Sequence, residues 1–298
     1  MIRHLVMSGG GTSLLSMFGA LQCTEESGLW KMKDIESIYG TSAGALLAYI
    51  LALKYDWTEL KTYFLRRPWH HVFRWDLYSL LGMFEKRGLW GPEVIEQLLA
   101  PLLFGKGLSP NTTLHEFYEA TGIEIHSFTA RLAPLGTSLV DVSYKTHPQW
   151  TVLETIYASC CLPILFSPLV REDELYTDGG LLLNYPVQPC LAVVDEPDTV
   201  FGIVNRPSAS DTMPAVHASS SFLDYILHLI HHMMSKWIRR NDGSQQSPLR
   251  HELYLTPSFL SSFDIVKLSS SEEMRESLMD VGAAVGKTFT MLNRVPPS

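Results

Sequence analysis

The chain has 298 residues, 46% of them hydrophobic and 18% charged, with a net charge of −8. That length and apolar content support a large buried core and exclude a disordered chain. The acidic balance excludes general nucleic-acid binding, which needs an excess of cations against phosphate.

In chain order, residues 2–7 read as a short strand ending in Ser-Gly-Gly-Gly. A helix follows, with Leu14, Met17, Phe18 and Leu21 on one face and Gly28 as its stop. Residues 35–39 form a second strand and 43–55 a second helix. Asp56 and Glu59 make a capping-box pair that opens a third. Residues 66–91 are aromatic, basic and irregular. Pro92 opens a helix ending near Gly105, and Thr113 with Glu116 caps one that stops at Gly122. Residues 123–132 and 138–144 alternate like paired strands. Thr151 and Glu154 cap a helix to about Cys161, which Leu162-Pro163 breaks. Short strands at 169–170 and 175–177 flank a polar turn and lead into Asp178-Gly179-Gly180. A buried strand is predicted over 199–205, helices over 220–240 and 272–292, and a mobile polar loop over 241–248. Alternating strands and helices predict an α/β fold, a sheet covered by helices.

Cys23, Cys160, Cys161 and Cys190 form no CxxC pair, and vicinal Cys160-Cys161 is poor disulfide geometry. They read as reduced thiols of an intracellular protein. The start, Met1 and then a glycine-rich turn, predicts no signal peptide and a cytoplasmic location. The longest apolar run, residues 43–53, is too short to cross a bilayer, so any membrane contact is peripheral.

Ser42 lies between Gly40 and Gly44 where a strand passes into a helix. A sharp turn there exposes the hydroxyl, and small neighbours let backbone approach closely. The following helix aims its amides and positive end at developing negative charge, which makes the Ala43 amide a candidate oxyanion donor. The alternative is a tight turn without chemistry. The loop Gly9-Gly10-Gly11 again joins strand to helix. A dinucleotide fingerprint fails, because Leu14 occupies its third glycine position, and a Walker loop fails for want of Gly-Lys-Ser/Thr. An oxyanion hole fits; so does a plain glycine turn.

The base is harder to find. Histidine is the usual partner of serine, but the pairs His70-His71 and His231-His232 sit in amphipathic or basic surroundings. No His, Cys, Asp or Glu set has metal-ligand spacing. Asp178, after a strand and before two glycines, is the candidate, since a carboxylate within hydrogen-bond reach can take a serine proton.

These three sites together resemble the patatin-like phospholipase family, over roughly residues 2–190. Ala158, Ser159, Pro163, Phe166 and Pro168 match the family's block ahead of its aspartate. The resemblance implies a mainly parallel three-layer sandwich and a Ser42–Asp178 dyad, with Gly179 and Gly180 completing the Asp-Gly-Gly motif. It further implies an oxyanion hole from Gly9, Gly10, Gly11 and Ala43, no cofactor, and fatty-acyl esters of membrane lipids as substrate. One domain over 1–298 is expected, with its core at about 2–205, a cap-like insertion at about 57–112 and a helical region at about 218–298. Ser13 and Leu14 depart from the family's Arg or Lys followed by Gly. A catalytically idle lipid-binding protein on the same fold is the alternative, and oligomeric state stays open.

Trp69, Phe73, Trp75, Leu77, Tyr78, Leu80, Leu81, Met83 and Phe84 lie among basic residues, a mixture that suits a membrane interface. A cap packed on the protein's own core accounts for the same residues. The apolar stripe of the 220–240 helix poses the same choice, with packing on the core favoured.

Overall fold

The computed structural model describes residues 1–74, 77–133, 136–206, 249–256 and 262–293, with isolated positions between 217 and 232. Trp75, the side chains of Leu77, Tyr78, Leu80 and Leu81, most of the 220–240 helix and the 241–248 loop lie outside the described residues.

Five strands lie parallel in the order β10 (His251–Leu255), β9 (Val200–Asn205), β1 (His4–Met7), β2 (Ser37–Thr41) and β4 (Glu124–Ala133). β8 (Glu174–Asp178) pairs antiparallel with β4, and β7 (Leu169–Arg171) with β8. β5 (Gly136–Val142) also pairs antiparallel with β4. A separate parallel ribbon joins β3 (Gly88–Trp90) to β6 (Ile164–Phe166). The sheet is therefore mostly parallel, and both its faces are buried, as parallel sheets require. Side chains alternate across it: Leu5, Met7 and Ile38 join one core, while Val6, Tyr39 and Val200 join another on the opposite face.

The first core is built with α1 (Leu14–Glu26), α2 (Ala43–Ala52), α7 (Val152–Cys160) and α10 (Glu272–Asn293). All ten residues of α2 are buried, which explains its apolar character all round. α8 (Val187–Leu191) supplies Val187 and Cys190 to the second core. α3 (Trp57–Arg66), α6 (Leu114–Thr121) and α7 each carry the capping box read from the sequence. α5 (Glu93–Gly105) follows Pro92. α1 and α10 cross so closely that a Cβ on Gly19 would overlap the Met279 carbonyl, and one on Gly282 the Ser16 carbonyl. Arg275, 6% exposed, locks the start of α10. Its guanidinium donates to the carbonyls of Leu268 and Ser269 at the end of α9 (Ser262–Ser270) and to that of Leu65 in α3.

The structure differs from the sequence reading in several places. β2 begins at Ser37, because residues 32–34 form a short 3-10 turn that Ile35 closes. α2 stops at Ala52 instead of residue 55, with Lys54 at φ 52°. The supposedly irregular stretch contains a 3-10 turn at Trp69–His71, α4 (Leu77–Lys86) and β3. β6, α8, β10 and α9 were not foreseen. Among the described residues, no helix is long and apolar enough to cross a membrane.

Candidate active site

Ser42 ends β2 and precedes α2 with φ 53° and ψ −122°. An L-residue reaches that conformation only under strain of about 1–3 kcal/mol, which surrounding packing must overcome. The packing is tight: a Cβ on Gly44 would overlap the Met7 carbonyl, and one on Gly40 would lie 2.6 Å from the Ala45 nitrogen. The elbow thus sits directly on the end of β1.

Asp178 ends β8, opposite Thr129 of β4. The Ser42 hydroxyl donates to Asp178 Oδ2 at 2.7 Å, and the Gly180 N–H donates to Oδ1 at 2.7 Å. Gly179 turns the chain against the Phe128 carbonyl, which a Cβ would overlap. Asp178 is 4% exposed. Burial pushes its pKa up to about 6, against the pull of the bonds from Ser42 and Gly180. The carboxyl is therefore poised near neutrality, the range suited to proton exchange. His4 and His126 are engaged elsewhere: His4 with Ser37, His126 between Glu124 and Asp141.

The glycine loop lies beside this pair. Gly9 fits between Asn184 and Ser42: a Cβ there would be 2.5 Å from Asn184 Oδ1 and 3.2 Å from Ser42 Cβ. Its N–H donates to the Asn184 carbonyl at 2.9 Å. This corrects the expectation that Gly9 is an oxyanion donor: its amide is already committed, and Gly9 serves close approach. Gly11, at φ +52° with open space around it, begins a 3-10 turn that leads into α1. Amides in the first turn of a helix lack intrahelical acceptors, which leaves Gly10, Gly11 and Ala43 as the candidate donors.

Four residues around the site had no role assigned from sequence. The Ser42 N–H donates to Ser159 Oγ at 2.9 Å, and the Ser159 hydroxyl donates to the Phe128 carbonyl at 2.7 Å. Thr129 Oγ is bonded to the carbonyls of Ala158 and Thr177, both at 2.8 Å. Buried hydroxyls therefore fasten the end of α7 beneath both members of the pair. Asn205 Nδ2 donates to the Gly9 carbonyl at 3.1 Å, and Asn184 Nδ2 to the same oxygen at 3.4 Å. The readable signal was a polar residue closing the otherwise apolar strand Val200–Asn205. The Cys160 thiol lies at the end of α7, directly after Ser159. Burial first, then the charges of Asp178 and Cys161, raise its pKa well above the ordinary thiol value, so it is a neutral neighbour.

Ser159→Ala leaves the Ser42 amide without its acceptor, a change of about 1–3 kcal/mol for a buried donor. We expect the melting temperature to fall in keeping with that cost, and kcat/KM on a soluble ester to fall roughly 10- to 100-fold under conditions where the variant remains folded. Release of Ser42 also weakens the bond that lowers the Asp178 pKa. The acid limb of the pH–rate profile should then move to higher pH, which a general loss of stability would not produce.

Fold and site together are those of an α/β protein with a serine–aspartate pair at the carboxyl edge of a mostly parallel sheet. The patatin-like phospholipase pattern matches residues 5–191, and the chain belongs to that family. It is 23% identical over 231 residues to the uncharacterized protein R571 of Acanthamoeba polyphaga mimivirus, spanning 76% of this chain and 74% of that one. It is 26% identical over 185 residues to the probable lipid hydrolase 463L of Invertebrate iridescent virus 6, spanning 62% of each. Lysophospholipase NTE1 of Saccharomyces cerevisiae is 26% identical over 72% of this chain but only 11% of its own length. Among solved structures, VipD from Legionella pneumophila superposes with a TM-score of 0.50 at 16% identity, over 95% of this chain and 67% of its own. That likeness is one of fold. Lipid acyl hydrolysis is the activity that the family and its named relatives support.

Proposed function

We propose that the protein hydrolyses fatty-acyl esters of membrane lipids, as a phospholipase A or lysophospholipase, with Ser42 as nucleophile and Asp178 as its only side-chain base. The observation that carries this reading is the 2.7 Å bond from the Ser42 hydroxyl to a buried carboxylate. As Oγ attacks the ester carbonyl, Asp178 Oδ2 takes its proton. The N–H groups of Gly10, Gly11 and Ala43 receive the negative charge that develops on the carbonyl oxygen, aided by the positive end of α2. The tetrahedral intermediate collapses, the alcohol leaves with the proton held by Asp178, and the acyl group stays on Ser42. Water then gives a proton to Asp178 and attacks the acyl carbon; the proton returns to Ser42 as the fatty acid leaves.

Ser159 supports this reading by holding the elbow, and Asn184 and Asn205 by holding the loop. Among the described residues, no group of three His, Cys, Asp or Glu side chains is placed to hold a metal. A membrane-lipid substrate also implies work at a bilayer surface by a peripherally bound protein.

A fluorophosphonate probe tests the nucleophile. The wild-type protein should be labelled and Ser42→Ala should not. A wild-type protein that stays unlabelled and releases no fatty acid from mixed phospholipids is the idle lipid-binding protein instead.

A further inference from the structure

We infer that Asn205, seconded by Asn184, is a positioning residue that aims the Gly10 N–H at the developing oxyanion, which rests on the serine-hydrolase reading above. The Gly9 carbonyl and the Gly10 N–H belong to one peptide unit. A trans peptide is planar, so these two groups point in opposite directions. Whatever holds the carbonyl therefore sets where the N–H points. Asn205 Nδ2 donates to that carbonyl at 3.1 Å and Asn184 Nδ2 at 3.4 Å. The other two candidate donors are set locally. The Ser13 N–H donates to the Gly10 carbonyl at 3.0 Å, which fixes the Gly11 N–H, and the Leu46 N–H donates to the Ser42 carbonyl at 3.0 Å, which fixes that of Ala43. Gly10 alone of the three takes its direction from side chains far along the chain.

Both asparagines are themselves held. Ile203 pairs with Met7 across β9 and β1, which puts Asn205 level with Gly9. The Asn205 N–H donates to Ser8 Oγ at 2.8 Å, and Ser8 is fully buried. A Cβ on Gly10 would lie 2.2 Å from Asn205 Nδ2, so the amide packs directly against the peptide it orients. Asn184 sits between two anchors. The Thr41 hydroxyl donates to the Leu183 carbonyl at 3.0 Å, and the Tyr185 hydroxyl donates to Oε1 of the buried Glu252 at 2.8 Å.

The Asn205 amide is used on one side only. Among the described residues, its Oδ1 is buried without a hydrogen-bond partner. A buried acceptor left unpaired costs stability. Turning the amide over gives no relief, since it would set Oδ1 against the Gly9 carbonyl oxygen. Packing alone is better served here by an apolar side chain. The orphan oxygen is what remains when the amide is kept for its N–H groups.

The test compares full-length Asn205→Ala and Asn184→Ala with the wild type on a soluble ester. The oxyanion charge develops in the transition state and not in the bound ester, so lost aim lowers kcat and leaves KM alone. Removing an oxyanion donor outright costs about 10²- to 10³-fold. Asn205→Ala should lose roughly 10- to 100-fold in kcat, because the Asn184 amide still reaches the Gly9 carbonyl. Asn184→Ala, which removes the longer bond, should lose less. Asn205→Ala should melt close to the wild type, because the orphan oxygen leaves with the amide. The acid limb of its pH–rate profile should stay at about 6, because Asp178 is untouched. A trifluoromethyl ketone mimics the charged state: Ser42 Oγ bonds the ketone carbon, the serine proton passes to Asp178, and the ketone oxygen becomes the oxyanion. Its affinity should fall by the same factor as kcat. Unchanged kcat and ketone affinity in Asn205→Ala overturn the inference, as does a rise in KM alone or a displaced acid limb. If Asn205→Ala does not fold, Asn184→Ala decides by the same readings. A wild type that neither turns over ester nor takes a fluorophosphonate label overturns the hydrolase reading and this one with it. An active wild type with unaffected variants removes the positioning role alone.

Discussion

If Ser42 and Asp178 form the proposed catalytic unit, Ser42→Ala and Asp178→Asn should each lower ester hydrolysis by about a thousandfold or more, and the double variant should be little worse than either, because members of one catalytic unit are not additive. Neither loss should come from unfolding. Burial holds the folded-state pKa of Asp178 at about 6, above its ordinary value of 3.8. The stability this shift contributes is full below the ordinary value and is lost as pH rises through about 6. At neutral pH the ionised side chain therefore opposes folding, and Asp178→Asn should melt no lower than the wild type. In the proposed mechanism the base acts in its ionised form, so wild-type kcat/KM should fall as pH drops through about 6. Full activity in Asp178→Asn, with an equal loss in a histidine variant, would remove the dyad.

Trp69→Ala should destabilise the protein by about 3–5 kcal/mol, the range for a buried tryptophan. Trp69 is 5% exposed, its indole N–H is bonded, and Phe64 and Tyr63 pack against its ring. The sequence left this residue between a membrane interface and a core-packed cap, and at Trp69 the structure takes the second. Melting temperature should fall sharply, and soluble-ester and vesicle activities should fall together once the variant begins to unfold. A variant that melts normally but releases vesicles would return Trp69 to the interface.

The elements set by local chemistry were legible in the sequence. Three capping boxes, the Gly40–Gly44 elbow and the Asp178-Gly179-Gly180 turn each depend on neighbours in the chain, and each stands where it was read. The meeting of Ser42 and Asp178 needed the resemblance, since nothing local to either residue tells that β2 and β8 both flank β4. β10 and β6 were missed because five- and three-residue strands owe their existence to a partner far along the chain. Ser159 looked like any small residue of a helix end. Its function comes from the Ser42 amide 117 positions away, which no spacing rule reports. Gly9 was misread for the converse reason: three adjacent glycines look equivalent until Asn184 claims one of their amides.

The crossing of α1 and α10 also bears on when the site matures during synthesis. Gly19 and Met279 lie 260 positions apart, yet they meet backbone to backbone. α1 begins three residues after Gly11, so the helix that carries the glycine loop waits for its seat until residues 272–293 have left the ribosome. Contacts of such sequence separation form late, after the entropy of closing a long loop has been overcome. The elbow and its aspartate, all encoded before residue 181, can assemble earlier. A growing chain therefore holds Ser42, Asp178 and the asparagines that bind the Gly9 carbonyl well before the helix behind the glycine loop gains its packing partner.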